Sequence, residues 1–405
     1  MERYPSYKPS GVKWLGEIPS HWEMLALKHI LKLKKDIVGR RSSQYDLLSL
    51  TLKGVVKRDM ENPEGKFPAS FDTYQAVEPN DFIFCNFDNE ETPRAVGLSP
   101  YKGMITGAYD VLSRKNPKLT DGFLIYYFLY IDDAKRFKPL YKGLRKTVPF
   151  DSFMSYKIPV PSLKEQAAIV SYLDTATAKI DAAIAQQQKM IDLLNERKQI
   201  IINRAVTKGL NPDAKMKDSG VEWIGEVPED WEVRKLKHIA KLQSGDTISS
   251  DSFTEDGYPV YGGNGFRGYT NRYTNDGDYV LIGRQGALCG NVNYAHGQFF
   301  ASEHAVVVYP YHKENLVLLG EVIRASNLNQ YSQSAAQPGL AVSMIQNISY
   351  PYPPEEEREE IALYIEKNIK VIDEGINNYH QQISLLQERK QKIINGVVTG
   401  KVKVV

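Results

Sequence analysis

The sequence has little of what marks a secreted, membrane-spanning or metal-clustered chain. Cysteine occurs only twice, at Cys85 and Cys289, separated by about 200 residues. Neither has a local Cys or His neighbour of the kind a zinc-type cluster needs, so both are expected to be unpaired packing thiols. A disulfide is not expected in a reducing compartment. Long apolar runs are also missing. The longest, around Phe123 to Ile131, is rich in tyrosine and falls well short of the roughly 20 residues a membrane helix requires. The opening Met1-Glu2-Arg3-Tyr4-Pro5 has no apolar signal-peptide core, and a cytoplasmic protein is expected. Charge of one sign is lacking too: 51 basic residues face 49 acidic ones, a net of +2. Any surface for nucleic acid must therefore be built locally or shared with partners.

What is present is length and repetition. The 405 residues exceed one ordinary domain, and 42% hydrophobic with 25% charged residues suits globular units with real cores. Residues 8–33, KPSGVKWLGEIPSHWEMLALKHILKL, recur as residues 217–242, KDSGVEWIGEVPEDWEVRKLKHIAKL, with 16 of 26 positions identical. Gly11/Gly220, Trp14/Trp223, Gly16/Gly225, Pro19/Pro228 and Trp22/Trp231 are among the retained pairs. A second match has a different offset: Glu196-Arg-Lys-Gln-Ile-Ile-Ile-Asn203 returns as Glu388-Arg-Lys-Gln-Lys-Ile-Ile-Asn395, and Pro159-Val-Pro161 as Pro351-Tyr-Pro353. The two offsets, 209 and 192, mean that the segments between the repeats differ in length by 17 residues, and those segments show little likeness. A duplicated frame carries divergent inserts, and the order of the repeats is circular. A pseudo-twofold arrangement with neighbouring termini follows.

The frame also contains two long helices. From about Leu163 to Val206 there is neither proline nor glycine, Ser162 and Glu165 form a capping-box pattern, and Gly209 and Pro212 follow as stop signals. Thr177, Ile184, Ile191, Lys198 and Ala205 alternate with Leu173, Ile180, Gln187, Leu194 and Ile201 at a 3.5-residue spacing. The second copy repeats this with Ile369, Ile376, Ile383, Lys390 and Val397 against Ile365, Ile372, Tyr379, Leu386 and Ile393. Five heptads in each copy predict a coiled coil, most economically with the two copies antiparallel. Gln187, Lys198, Tyr379 and Lys390 interrupt the seam and are candidates for fixing its register.

These features resemble the specificity (S) subunits of bacterial Type I restriction–modification systems. GVKWLGEIPSHWE and GVEWIGEVPEDWE look like the family's entry to each target recognition domain. The P-x-P followed by a helix ending ERKQ-x-IIN looks like its conserved helical regions. Tyr258 to Gly268 and Tyr279 to Asn293 look like a common recognition-domain type, whereas the first insert, with Arg145 to Pro159 before its helix, fits less distinctively. The resemblance implies an α+β chain of two mixed recognition domains separated by two long helices packed as an antiparallel coiled coil. Residues 1–158 would hold the first entry block and recognition domain, 159–209 the first helix, 210–350 the second block and domain, and 351–405 the second helix. It further implies a non-catalytic subunit without cofactor. Each domain would read one half of a bipartite double-stranded DNA target, while the helices set the spacer and dock two methyltransferase subunits. Two restriction/translocase subunits can join such complexes. A Type II-like system with a fused methyltransferase–nuclease partner, a structural coiled-coil adaptor and a catalytic protein with an unrecognised site are the alternatives.

No enzymatic motif stands beside these features. Gly263-Asn-Gly265-Phe-Arg-Gly268 satisfies G-x-G-x-x-G, but Tyr-Thr-Asn-Arg-Tyr-Thr follows it and favours strand and turn over the helix a dinucleotide site needs. No Asn/Asp-Pro-Pro-aromatic methyltransferase loop or Walker lysine loop occurs. Glu196-Arg-Lys198 and Glu388-Arg-Lys390 have nuclease-like spacing but lie inside helices, and Ser302-Glu-His304 lacks a convincing third partner. Base readout wants Arg, Lys, Asn, Gln and Ser on loops that reach a groove. The candidates in the first insert are Arg40, Arg41, Ser42, Arg94, Lys142, Arg145 and Lys146. In the second they are Asn264, Arg267, Asn271, Arg272, Arg284, Gln285 and Gln337. Residues 24–158 carry a formal charge of +6 and residues 233–350 of zero, so the second domain must rely on local placement.

Overall fold

The computed structural model describes residues 2–60, 70–286, 288–332 and 339–404. They form two compact units, Met1–Gln186 with Gln382–Val405, and Gln187–Gln381. The long helices are Leu163–Lys208 and Glu355–Val398, so each unit holds the start of one and the end of the other.

In the first unit a four-stranded antiparallel sheet is built from β1 (Leu31–Lys34), β2 (Phe82–Phe84), β3 (Val96–Leu98) and β4 (Asp110–Arg114), in the order β1-β4-β2-β3. Helix α1 (Asp121–Asp133) follows, started by Thr120, whose hydroxyl accepts from the Phe123 N–H. The pleat sends alternate side chains to opposite faces. Phe82, Phe84 and Leu112 join a large core with Trp22, Phe123, Phe128, Ile169, Leu173, Ile394 and Val397. Ile83 and Val111 point the other way, into a small core with Leu48, Val55, Val77 and Ile105 from the insert.

The second unit repeats this plan. Strands β5 (Ala240–Ser244), β8 (Tyr279–Gly283), β9 (Val292–Ala295) and β10 (Ala305–Pro310) are ordered β5-β10-β8-β9, the same path as in the first sheet. Val280, Ile282, Val306 and Val308 face a core with Trp231, Ile361 and Ile365, while Leu281 and Val307 face a separate cluster with Phe299 and Ala301. Between β5 and β8 lies a hairpin of β6 (Tyr258–Gly262) and β7 (Gly265–Thr270), part of a second sheet of five strands. The two inserts thus share a sheet topology that their sequences do not display. They differ in what is added: Gln75–Val77 pairs antiparallel with Gly103–Ile105 in the first unit, whereas β6 pairs parallel with Gln298–Ala301 in the second.

The frame is fastened in the same way in each unit. The expected capping box forms at the first long helix: the Ser162 N–H and hydroxyl donate to Glu165 Oε2 at 3.0 and 2.7 Å, and the Glu165 N–H returns to Ser162 Oγ at 3.3 Å. The other oxygen, Oε1, accepts the buried Trp22 Nε1–H at 3.1 Å and lies 2.8 Å from His21 Nε2. In the second unit Trp231 Nε1 donates to Glu357 Oε2 at 2.7 Å. Both tryptophans are also covered by the glycine that ends a long helix. A Cβ on Gly400 (φ +72°) would run into Pro19 and Trp22, and one on Gly209 (φ +70°) into Glu357 and Trp231. The Tyr7 hydroxyl donates to the Gly400 carbonyl, and Glu2 forms a β-bridge with Lys403, which joins the first and last segments as the circular repeat requires.

Every predicted seam position is buried or half-buried. Two of the four seam interruptions are ion pairs between the helices. Lys390 Nζ reaches both Asp181 oxygens at 2.7 Å in the first unit, and Lys198 Nζ reaches those of Asp373 at 2.8 and 2.9 Å in the second. Ile169 and Leu173 share a core with Ile394 and Val397, and Ile202 and Ala205 share one with Ile361 and Ile365. With the ion pairs, these partners make the helix segments within each unit antiparallel.

Candidate nucleic-acid interface

Sheet registry decides where the candidate side chains collect. In the first unit Val111 pairs with Lys34 and Asp110 with Phe84, so β1 and β2 end where β3 and β4 begin. The loops at that edge are residues 35–46, 85–95 and 106–109. In the second unit Ser244 pairs with Val306 and Gly283 with Ala305, giving the equivalent edge. A segment leaving each domain closes over it. The Val148 N–H donates to the Asn86 carbonyl at 2.8 Å, and the Leu340 N–H to the Arg284 carbonyl at 2.8 Å. The long interruptions of each sheet, which hold most of the candidates, therefore open on one edge.

On the first unit's edge the cations are largely tied to acids. Arg41 bonds Asp36 at 2.5 Å and the Ile37 carbonyl at 2.9 Å. Arg145 sits in a tight turn bridged by Lys142 and Thr147; its guanidinium holds the Asp88 carboxylate at 2.5–3.2 Å and lies 4.8 Å from the Phe87 ring centroid. Lys146 pairs with Glu90 and with Glu91, the latter at 3.1 Å. Hydrogen bonds from Lys146 and then Lys138 bring the Glu90 carboxyl down to about 2. Arg94 reaches the Leu52 carbonyl at 3.4 Å. Arg40 and Lys142 are exposed and have no carboxylate partner among the described residues. The acidic loop Asp88–Glu91 was not singled out from the sequence, because its partners are about 55 residues away in the chain.

The second unit, formally neutral, places its cations differently. Arg267, Arg272 and Arg284 have no carboxylate partner among the described residues. Arg267 lies 5.6 Å from the Phe253 ring centroid, Arg272 lies 4.9 Å from that of Phe300, and Arg284 donates to Ser244 Oγ at 2.9 Å. The formal charge difference between the inserts therefore overstates what the first unit can offer a phosphate. Asn264, Arg267 and Gln285 come together around a cleft of about 530 Å³ that Phe266 and His304 also line. Asn271 and Arg272 lie beyond the far end of β7 and do not line it. Gln337 lies outside the described residues.

The G-x-G-x-x-G run is a hairpin, as its flanking residues predict: Gly263 and Asn264 turn between β6 and β7, and no helix follows. The glycines allow close approach. A Cβ on Gly283 would meet the Gly263 carbonyl at 1.9 Å, and one on Gly263 the Gln285 carbonyl at 2.8 Å. His304 is a residue that sequence reasoning connected only with catalysis; here its backbone carbonyl accepts from the Arg284 N–H and its Nε2 lies 3.2 Å from Glu303. Both predicted thiols are buried and unpaired.

Comparison with known proteins agrees with this architecture. The family model for the Type I restriction modification DNA specificity domain matches residues 96–191 and 228–387, more than half of the chain. The EcoprrI Type I specificity subunit of Escherichia coli is 43% identical over 139 residues, which is 33% of this chain and 35% of that protein. The putative MjaX specificity subunit of Methanocaldococcus jannaschii is 26% identical over 432 aligned positions, 96% of each chain. A chain from a structure of complex assembly and conformational transition in a type I R-M system superposes with a TM-score of 0.67 at 13% identity, covering 95% of this chain and 99% of that one. The duplicated frame, the paired helices and the matched inserts are thus a shared fold, and the chain belongs to the Type I restriction–modification DNA specificity family, whose members are targeting subunits for DNA.

Proposed function

We propose that each unit presents one recognition domain, and that the sheet edge described above reads one half of a bipartite double-stranded DNA target. Residues 24–158 and 233–350 would carry the two readings, through the candidate residues on their loops. The observation that carries this is the repetition of one sheet edge, closed by the same exit-segment hydrogen bond, under two unlike sets of polar side chains. Identical scaffolds with different side chains suit two different half-sites.

The long helices would set the spacer. Forty-six residues at about 1.5 Å each rise roughly 70 Å, close to two turns of duplex at about 34 Å per turn. Their outer faces carry exposed Met190, Leu193, Ile200, Leu363 and Val371, a suitable dock for methyltransferase subunits. Two such subunits, and two translocase/nuclease subunits where restriction occurs, would supply methyl transfer, ATP hydrolysis and cleavage in the cytoplasm. The chain itself would need no cofactor.

Methylation-site sequencing of a host carrying this chain with its methyltransferase tests the reading. A split motif should appear, and exchange of residues 24–158 for another recognition domain should alter one half only. Alteration of both halves, or of the spacer, would refute modular readout.

A further inference from the structure

Phe266 and Arg267 are consecutive residues of one strand, yet both are exposed and line the same cleft. A regular pleat forbids this, because neighbours point to opposite faces. The ladder between β6 and β7 shows the cause. Val260 pairs with Gly268 and Tyr261 with Phe266, leaving Arg267 as the extra, unpaired residue of a β-bulge. Such bulges re-aim a side chain. Gly262 makes room for the result, since a Cβ there would stand 2.4 Å from Arg267 Cδ.

Two of the polar side chains that line the cleft, Asn264 and Arg267, lean toward donors, beside Gln285, whose amide offers both a donor and an acceptor. Asn291 Nδ2 donates to Asn264 Oδ1 at 3.2 Å, which engages the oxygen of that amide and leaves its two N–H groups without a hydrogen-bond partner among the described residues. The Arg267 guanidinium offers only donors and has no carboxylate partner among the described residues. Two side chains thus present donors on one concave surface. Of the four bases, guanine is the one whose major-groove edge offers two acceptors, O6 and N7, side by side. Adenine pairs an acceptor with a donor, which Asn264 in this orientation and Arg267 would repel.

We infer that Arg267, supported by Asn264, reads a guanine in the half-site of the second recognition domain. The inference rests on the proposed DNA-reading role and adds the identity of one base. The β-bulge is the device that delivers the guanidinium to it.

The wild-type complex of this chain with its methyltransferase first yields the target motif by methylation-site sequencing; absence of any chain-dependent motif would refute the DNA-reading role itself. With a motif in hand, R267A should lose discrimination at one guanine of one half-site, while the other half and the spacer stay unchanged. Duplexes with 7-deazaguanine at each guanine in turn remove N7 alone. The wild-type complex should bind one of them on the order of 10-fold more weakly, and R267A should not distinguish it. N264A should weaken the same position less. Where R267A methylates nothing, its thermal melt and its residual binding to the deaza series decide the matter. A folded variant still sensitive to every substitution overturns the inference, as does an unchanged motif or equal loss at all positions.

Discussion

Replacing Glu165 with glutamine tests how the first recognition domain is fastened to its helix. In the native protein the carboxylate accepts from the Ser162 N–H, the Ser162 hydroxyl and Trp22 Nε1–H, with His21 Nε2 at 2.8 Å. Burial pushes its protonation equilibrium up, but the hydrogen bonds from Ser162, His21 and Trp22 prevail and bring it down from 4.5 to about 2. That difference corresponds to roughly 3 kcal/mol of preference for the ionised form. The Glu165 side chain is 10% exposed but its partner His21 is 52% exposed and screened by solvent, so the expected contribution is about 2 kcal/mol. Because the folded-state value is depressed, this stability is fully present above about 4.5 and is lost as pH falls toward 2. Glutamine cannot ionise. The gap between native protein and E165Q, read from urea midpoints, should stay near 2 kcal/mol from pH 7 to 5 and narrow by pH 3.5. The equivalent E357Q loses a carboxylate with one bond, from Trp231, and Pro354 stands where Ser162 would cap; about 1 kcal/mol is expected there. A gap that does not change between pH 7 and 3.5, or a larger loss for E357Q, would refute the reasoning.

Two further substitutions probe the frame. Gly400→Ala would force a side chain into a left-handed conformation and against Pro19 and Trp22, at 2.4 and 3.0 Å. A loss of about 1–2 kcal/mol from the backbone alone is expected, seen as a lower melting temperature; an unchanged melt would show that the helix end does not hold the entry block. Lys198→Glu sets a like charge beside Asp373, and adding Asp373→Lys should restore the attraction. Since these side chains are 24% and 45% exposed, a double-mutant cycle should return a coupling of about 0.2–1 kcal/mol, and zero coupling would remove the pair as a register device.

The frame was legible because duplication displays it twice. The heptad spacing located the seam, and Ser162 with Glu165 located a helix start to the residue. The same alignment held a further contact that went unread. Trp22 and Trp231 match at one offset and Glu165 and Glu357 at the other, so the repeated Trp–Glu bond crosses two separate repeats and shows only in three dimensions. The site was less legible. Asn264, Arg267 and Gln285 are polar residues near glycines in sequence, and they meet in one cleft; Asn271 and Arg272 look alike in sequence and do not join it. Arg267 arrives there through a bulge, a register shift that depends on how two strands pair and has no composition of its own, whereas Asn271 and Arg272 follow the far end of β7. In the first insert Arg145 and Lys146 look like free cations in sequence, and the acids that hold them, Asp88, Glu90 and Glu91, arrive through a turn far up the chain.

The pleat of the central sheets explains how a conserved frame tolerates divergent inserts. One face of each sheet, Phe82, Phe84 and Leu112 or Val280, Ile282, Val306 and Val308, belongs to the core that also holds the entry tryptophan and the long helices. The other face, Ile83 and Val111 or Leu281 and Val307, belongs to a separate small core that involves the insert alone. A change in the insert is therefore met by its own core before it reaches the frame. Residues at the candidate edge contribute to neither: Asn264, Arg267 and Gln285 are exposed. Their replacement should leave folding nearly untouched, since surface changes away from caps and buried networks usually stay within about 0.5 kcal/mol. The exposed side chains of an insert can then change while the frame stays the same, because the period of two in a β-strand keeps the two sets of side chains on opposite sides.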